Sequence, residues 1–285
     1  MSEIDLDALA AAYEAGLAAE KAGDSDAAVA AYRRCLDLDH EDRGGVSVRL
    51  AALGAAPAPE RAPPAYVATL FDQHAEAFEM TLVHSLGYAI PDEIAEALRA
   101  DGLMPASGRF AAALDLGCGT GLVGEALEGM VDAMDGVDLS EDMVALADEK
   151  ELYRDLFVGD AEAFCLQSPP DAYALVVAAD VLPYLGTVSP LFRAVARVTS
   201  AGGIFAFSTE RLAEEASAGR GFAVGPGRRF AHTLDALQGA LAAVGYVPTA
   251  VYETVVRHEK GRPVDGHLVL ATLGSSAGRQ TGPRR

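Results

Sequence analysis

The chain has 285 residues, about half of them apolar, which suffices for one α/β core with room left for a small second unit. Its 42 acidic against 22 basic residues give a formal charge of −20. That charge repels phosphate backbones and argues against a free nucleic acid as partner. Cys35, Cys118 and Cys165 are scattered, form no C-x-x-C pair and have no His nearby at ligand spacing, so neither a disulfide framework nor a metal site is expected. The acidic N-terminus lacks a leader pattern, and no apolar run approaches the ~18 residues of a membrane span, so a soluble, cytoplasmic protein without membrane contact is expected.

From Leu9 to about Asp42 the sequence is Ala-rich and helical in period, with one break at Gly23-Asp24; Ala27, Ala28, Tyr32 and Cys35 line one face of the second half. A helical hairpin is predicted. It resembles a tetratricopeptide repeat, with Gly16, Gly23, Ala28 and Tyr32 at that family's small and aromatic packing positions, and departs from it at His40, where a proline is usual. Residues 1–54 are therefore read as a tetratricopeptide-like segment. Such repeats need about three copies to bury a continuous core. One copy is expected to lean on the rest of the chain or on a second subunit, and it offers a surface for a protein partner; monomer and homodimer both stay open.

Residues 55–65 hold four prolines and several alanines, a composition that cannot continue a helix and reads as a semi-rigid linker. Helical patterning returns over Tyr66–Met80 and Pro91–Ala100. From Phe110 onward, short apolar runs alternate with helices: Phe110–Leu116, Met134–Leu139, Leu156–Gly159, Ala174–Ala179 and Gly203–Ser208 read as five strands of a parallel sheet covered on both faces. Thr249–His258 and His267–Leu273 are separated by turn residues only, which predicts an antiparallel pair at one edge. The Gly/Ser/Arg-rich stretch 274–285 is expected to be a disordered tail.

Chemistry concentrates where the apolar runs end. Leu114 to Gly121 reads LDLGCGTG, a strand entering a loop with glycine at 117, 119 and 121, followed by a predicted helix whose N-terminus offers unpaired N–H groups. Asp115 lies two residues before the first glycine. A pyrophosphate would be repelled there, whereas the ammonium of an amino acid would be attracted. Asp138 ends the second run in Gly-Val-Asp-Leu-Ser, where a carboxylate can accept ribose hydroxyls, and Asp160 follows the third in Val-Gly-Asp-Ala-Glu, where it can accept an adenine amino group.

LDLGCGTG, GVDLS and GDA, in that order, resemble the class I S-adenosylmethionine-dependent methyltransferases over roughly residues 64–273, and the arrangement also resembles bacterial methyltransferases carrying tetratricopeptide repeats. The resemblance implies an α/β, Rossmann-like sheet of seven strands, the last antiparallel, as a catalytic domain over 66–273 behind the small helical hairpin. It implies S-adenosylmethionine as cofactor, with Asp115, Gly117, Cys118, Gly119 and Gly121 around its methionine part, Asp138 and Leu139 at the ribose, Asp160 and Ala161 at the adenine, and Asp180 and Phe71 completing the contacts. Asp180, Tyr184 and His232 are the candidate catalytic residues; His232 follows the fifth strand, and His74 and His84 are further candidate bases. Arg228 and Arg229 are candidates for holding an acidic substrate. The expected activity is methyl transfer to a small molecule. Two alternatives stay open: a nicotinamide-dependent oxidoreductase, because Gly119, Gly121 and Gly124 also satisfy G-x-G-x-x-G, and a non-catalytic S-adenosylmethionine-binding scaffold.

Overall fold

The structure, a computed structural model, describes residues 5–274, so the tail expected over 274–285 lies outside the described residues from Ser275 onward. Two helices open the chain, α1 (Leu6–Ala22) and α2 (Ser25–Leu38). Each starts on an aspartate whose carboxylate accepts a backbone N–H of the first turn, Ala8 N on Asp5 and Ala27 N on Asp24, both at 3.0 Å. Gly23 ends α1 in the left-handed conformation. The expected hairpin forms, and its contact is Gly16 of α1 against the fully buried ring of Tyr32.

A short helix α3 (Val46–Ala52) follows, and Arg49 pairs with Glu20 at 2.7 Å to hold it on the hairpin. The expected linker is extended but not free. The amide of Ala62 donates to Tyr184 O at 2.8 Å, and Glu60 O accepts from Gly186 and Thr187. Helix α4 (Pro64–Asp72) begins on a proline, a 3-10 turn (Ala75–Ala77) and a π-helical stretch (Met80–Ser85) come next, and α5 (Ile90–Ala100) leads into the sheet. The helix expected over Tyr66–Met80 is thus broken after Asp72.

Among the described residues the sheet has nine strands: β1 (Ala113–Leu116), β2 (Met134–Asp138), β3 (Asp155–Val158), β4 (Tyr173–Ala178), β5 (Thr199–Arg211), β6 (Phe222–Val224), β7 (Phe230–His232), β8 (Tyr246–Glu259) and β9 (Arg262–Leu273). Strands β3-β2-β1-β4-β5 are parallel neighbours in that order; β9 lies antiparallel along β5, with β8 antiparallel outside it. The edge pair predicted from its turn residues is present, joined through Lys260-Gly261, both at positive φ as a two-residue hairpin requires. The expected count of seven is corrected to nine. Residues 219–227 contain four glycines and read as a loop, yet β7 continues the sheet from the end of β5 (Glu210 and Arg211) and β6 returns along it. The first strand also starts later than expected, Phe110 making only an isolated bridge to Val131.

Alternate residues of β4 supply opposite cores, as the period-two geometry of a strand demands. Val176 and Ala178 join Phe192, Phe205, Phe207, Leu237 and Leu241 beneath α9 (Ser189–Val198) and α10 (Leu234–Ala243). Leu175 and Val177 join Ile90, Ile94, Leu98 and Leu127 beneath α5 and α6 (Leu122–Ala126). A smaller core of Val48, Ala62, Val67, Phe222 and Phe230 ties α3, the linker and α4 to the β6–β7 hairpin. Strand order reverses between β1 and β4, and that switch point, at the carboxyl ends of the strands, is where open α/β sheets bind ligands. No helix among the described residues is long and apolar enough to cross a membrane.

Candidate active site

A cavity of about 310 Å³ opens at that switch point, within the range of small-ligand pockets. Its floor is the glycine loop after β1. Gly117 has φ +67, and a Cβ there would stand 2.6 Å from Val181 Cγ2, so only glycine lets the loop pass under the segment that follows β4. Gly117, Cys118 and Gly119 line the cavity, as do Asp138, Leu139, Asp160, Ala161, Asp180, Tyr184 and Phe71. Ten of the expected residues therefore belong to the cavity wall.

Asp115 and Gly121 do not line that wall. Asp115 is buried beneath the loop, where its Oδ2 accepts the Tyr153 hydroxyl at 2.7 Å while its Oδ1 has no partner among the described residues. Burial pushes its carboxyl up to about 7, against the lowering effect of the Tyr153 hydrogen bond. Asp138 is held differently. Its Oδ2 accepts Gly119 N and its Oδ1 accepts Ser140 N, both at 2.9 Å. Those bonds fix its orientation and offset part of the upward shift that burial causes.

Asp160 caps the helix α8 (Ala161–Gln167) through Ala163 N at 3.0 Å, and its other oxygen pairs with Arg61, which reaches over from the linker. The carboxylate expected to meet an adenine amino group is thus already shared between a helix cap and an arginine. Asp180, at φ +58, is also paired, with Arg229 at 3.0 Å and Arg257 at 3.5 Å. Tyr184 packs edge-on against Phe71 with ring centroids 5.4 Å apart, Phe71 against Phe78 at 5.8 Å, and burial pushes the Tyr184 hydroxyl up to about 12. These rings make an aromatic wall that continues to Gly119, where an added Cβ would lie 3.9 Å from Phe78.

His232 falls outside this arrangement. It is 2% exposed and does not line the cavity; Nδ1 bonds Thr209 Oγ1 at 2.9 Å and Nε2 bonds Gly186 O at 3.1 Å. Burial lowers it to about 4. With both nitrogens occupied it is a structural residue of β7, not a base facing the cavity. His74 is exposed and bonds Leu70 O, and the side chain of His84 lies outside the described residues.

Residues from distant segments complete the site without a local sequence signal. Glu79 accepts Thr120 Oγ1 and Lys150 Nζ, each at 2.6 Å, and Asp72 accepts Ser140 Oγ at 2.5 Å, so the helices before the sheet are clamped onto the glycine loop and onto the start of α7 (Glu141–Asp148). Tyr153 fills the space left by Gly124 and Gly136. Tyr88 lines the cavity with its hydroxyl held protonated by burial and by the nearby Asp180 and Asp115. Among the described residues no group of three His, Cys, Asp or Glu side chains is placed to hold a metal.

Residues 114–207 match the family model described as methyltransferase domain, a span that begins on β1 and ends on β5. Over that span the chain is similar to methyltransferase domains. The ubiquinone biosynthesis O-methyltransferases of Burkholderia vietnamiensis and Burkholderia multivorans are each 31% identical to it over 101 residues, covering 34% of this chain and 43% of theirs. The match thus spans less than half the length of these curated relatives. An S-adenosylmethionine dependent methyltransferase from Mesorhizobium loti superposes with a TM-score of 0.50 at 25% identity, covering 64% of this chain and 99% of that one. The fold is the Rossmann-like methyltransferase fold.

Proposed function

We propose that this chain is an S-adenosylmethionine-dependent methyltransferase acting on a small molecule. The observation that carries the reading is the buried, unpartnered Asp115 Oδ1 beneath the glycine loop, with Asp138 fixed beside it by Gly119 and Ser140. An acceptor atom buried without a donor costs about 1–3 kcal/mol, and since Asp115 lies behind the glycine loop, a ligand ammonium relieves that cost through a bridging water. A dinucleotide would bring a pyrophosphate over the same carboxylate, which disfavours the nicotinamide reading.

The residues present fit the cofactor. Gly117, Cys118 and Gly119 border the amino acid end, with Asp115 and Gly121 behind them; Asp138 and Leu139 hold the ribose; Asp160 and Ala161, with Arg61, frame the adenine. When bound, S-adenosylmethionine supplies a methyl group activated by its sulfonium sulfur. Phe71, Phe78 and Tyr184 give that cation an aromatic wall, a contact worth roughly 0.5–2 kcal/mol. At the acceptor end Asp180 is locked between two arginines and both tyrosines stay protonated. The chain therefore contributes orientation and exclusion of water, and well-aligned reactants gain roughly 7–11 kcal/mol from orientation alone.

Three buried free cysteines suit a reducing compartment, and we place the protein in the cytoplasm on that ground. The N-terminal hairpin, with Gly16 under Tyr32, is read as a single tetratricopeptide-like unit available to a protein partner. Calorimetric titration with S-adenosylmethionine, S-adenosylhomocysteine and NAD tests the main reading: the first two bind and NAD does not. Binding of NAD alone overturns it. Transfer of a labelled methyl group into fractionated cell extract separates an enzyme from a scaffold, which binds the cofactor and transfers nothing.

A further inference from the structure

The aromatic wall leads from the glycine loop to one cation. Phe78 stands near Gly119, Phe71 packs on Phe78, Tyr184 packs on Phe71, and the Arg229 guanidinium lies 5.6 Å from the centre of the Tyr184 ring. Arg229 lines the cavity from the β6–β7 turn, where Gly225 N bonds Arg229 O at 2.8 Å and fixes the backbone. Of the five N–H donors of a guanidinium, the described residues engage Nη1 alone, on Asp180 Oδ2 at 3.0 Å.

Asp180 is shared between two arginines, its other oxygen facing Arg257 Nη1 at 3.5 Å. Arg257 is completely buried behind it and also pairs with Glu210 and Glu259. Asp180 lines the cavity beside Arg229, whereas Glu210 and Glu259 pair with Arg257 and do not line it. In a chain of charge −20, a cation that lines the cavity next to Phe71, Tyr88 and Tyr184 and keeps unused donors is suited to receive an anion. The planar fork matches a carboxylate in two-point contact. A phosphate dianion fits less well, since Asp180 touches the same guanidinium and would repel the second charge.

We propose that the methyl acceptor carries a carboxylate, seated on Arg229, attached to an apolar or aromatic body that packs against Phe71, Tyr88 and Tyr184. This rests on the reading of the glycine end as the cofactor site.

The test is calorimetry on the full chain saturated with S-adenosylhomocysteine, titrated with phenylacetate, its neutral counterpart phenylacetamide, and phenyl phosphate. Phenylacetate is expected to bind at least tenfold more tightly than the amide and more tightly than the phosphate. In Arg229→Gln that preference disappears while affinity for S-adenosylhomocysteine stays within about twofold. Arg229→Lys, which keeps the charge against Asp180 and loses the fork, is expected to keep part of the preference, and it serves if the Gln variant does not fold. Equal binding of acid and amide, no binding of the acid, or tighter binding of the phosphate overturns the proposal. So does an equal loss of S-adenosylhomocysteine affinity in Arg229→Gln, which would make the arginine a clamp for the cofactor's own carboxylate. Failure of the native chain to bind S-adenosylhomocysteine at all would instead overturn the cofactor reading.

Discussion

Asp115 and Asp138 lie near the ends of neighbouring strands, and burial raises both carboxyls, but their hydrogen-bond partners differ. Asp138 receives two backbone N–H groups that hold its charged form in one orientation, so the ribose contact proposed for it needs no reorientation of the carboxylate when a ligand arrives. Asp138→Ala is expected to weaken S-adenosylhomocysteine binding at least tenfold by calorimetry, about 1.4 kcal/mol or more; unchanged affinity would sink the ribose assignment. Asp115 has one hydroxyl partner and an orphan oxygen, and its carboxyl is raised from 3.8 to about 7. Between those two values the unfolded chain releases a proton that the folded chain keeps, so this residue's contribution to stability falls as pH rises, by at most about 1.4 kcal/mol per pH unit. Asp115→Asn removes that titration and still accepts the Tyr153 hydroxyl. Melting of the ligand-free proteins is expected to show similar midpoints near pH 4, with the variant increasingly more stable up to about pH 7 and a constant difference beyond. Parallel curves across that window would show that Asp115 does not titrate there.

Among the elements, the parallel strands were legible because burial on both faces leaves runs such as Ala174–Ala179 with no polar alternation to confuse. That Asp138 and Asp160 would line a cavity was legible because ligands of such sheets meet the carboxyl ends of the strands. What escaped was whatever depends on distant partners. Arg61 reads as one charge in a proline-rich linker, and only the fold brings it to Asp160. His232 carries no local sign that Thr209 and Gly186 occupy both its nitrogens. The β6–β7 hairpin was hidden by glycines that suit a loop equally well. The α1–α2 hairpin was readable from Gly16 and Tyr32, and it supplies the test at this scale. An alanine Cβ at Gly16 would sit 2.3 Å from the Tyr32 ring. Alanine gains roughly 1 kcal/mol of helix propensity, against about 1–3 kcal/mol for overpacking a buried contact, so the clash wins. Gly16→Ala is expected to lower the melting temperature with S-adenosylhomocysteine affinity within about twofold. A rise in melting temperature would show that the two helices are not packed through this pair.

Across the whole molecule, the helical segment and the sheet are joined beside the cavity. Ala62 donates to Tyr184 O, Gly186 and Thr187 donate to Glu60 O, and Arg61 between them reaches Asp160. The strand-like residues 60–62 therefore close one side of the cavity, and Ala62 shares its core with Val48 of α3 and Phe230 of β7. A ligand held by Asp160 and Tyr184 would stiffen this strap, because opening it then requires releasing the ligand as well. Hydrogen exchange with and without saturating S-adenosylhomocysteine reads this directly. The amides of Ala62, Gly186 and Thr187 are expected to slow at least tenfold on binding. Those of α1 and α2, whose hairpin rests on the separate core of Ala28, Tyr32, Cys35, Val46 and Leu50, are expected to change little. Slowing confined to the glycine loop would mean that the strap takes no part in holding the ligand, whereas equal slowing of α1 and α2 would mean that the helical segment and the sheet open as one unit.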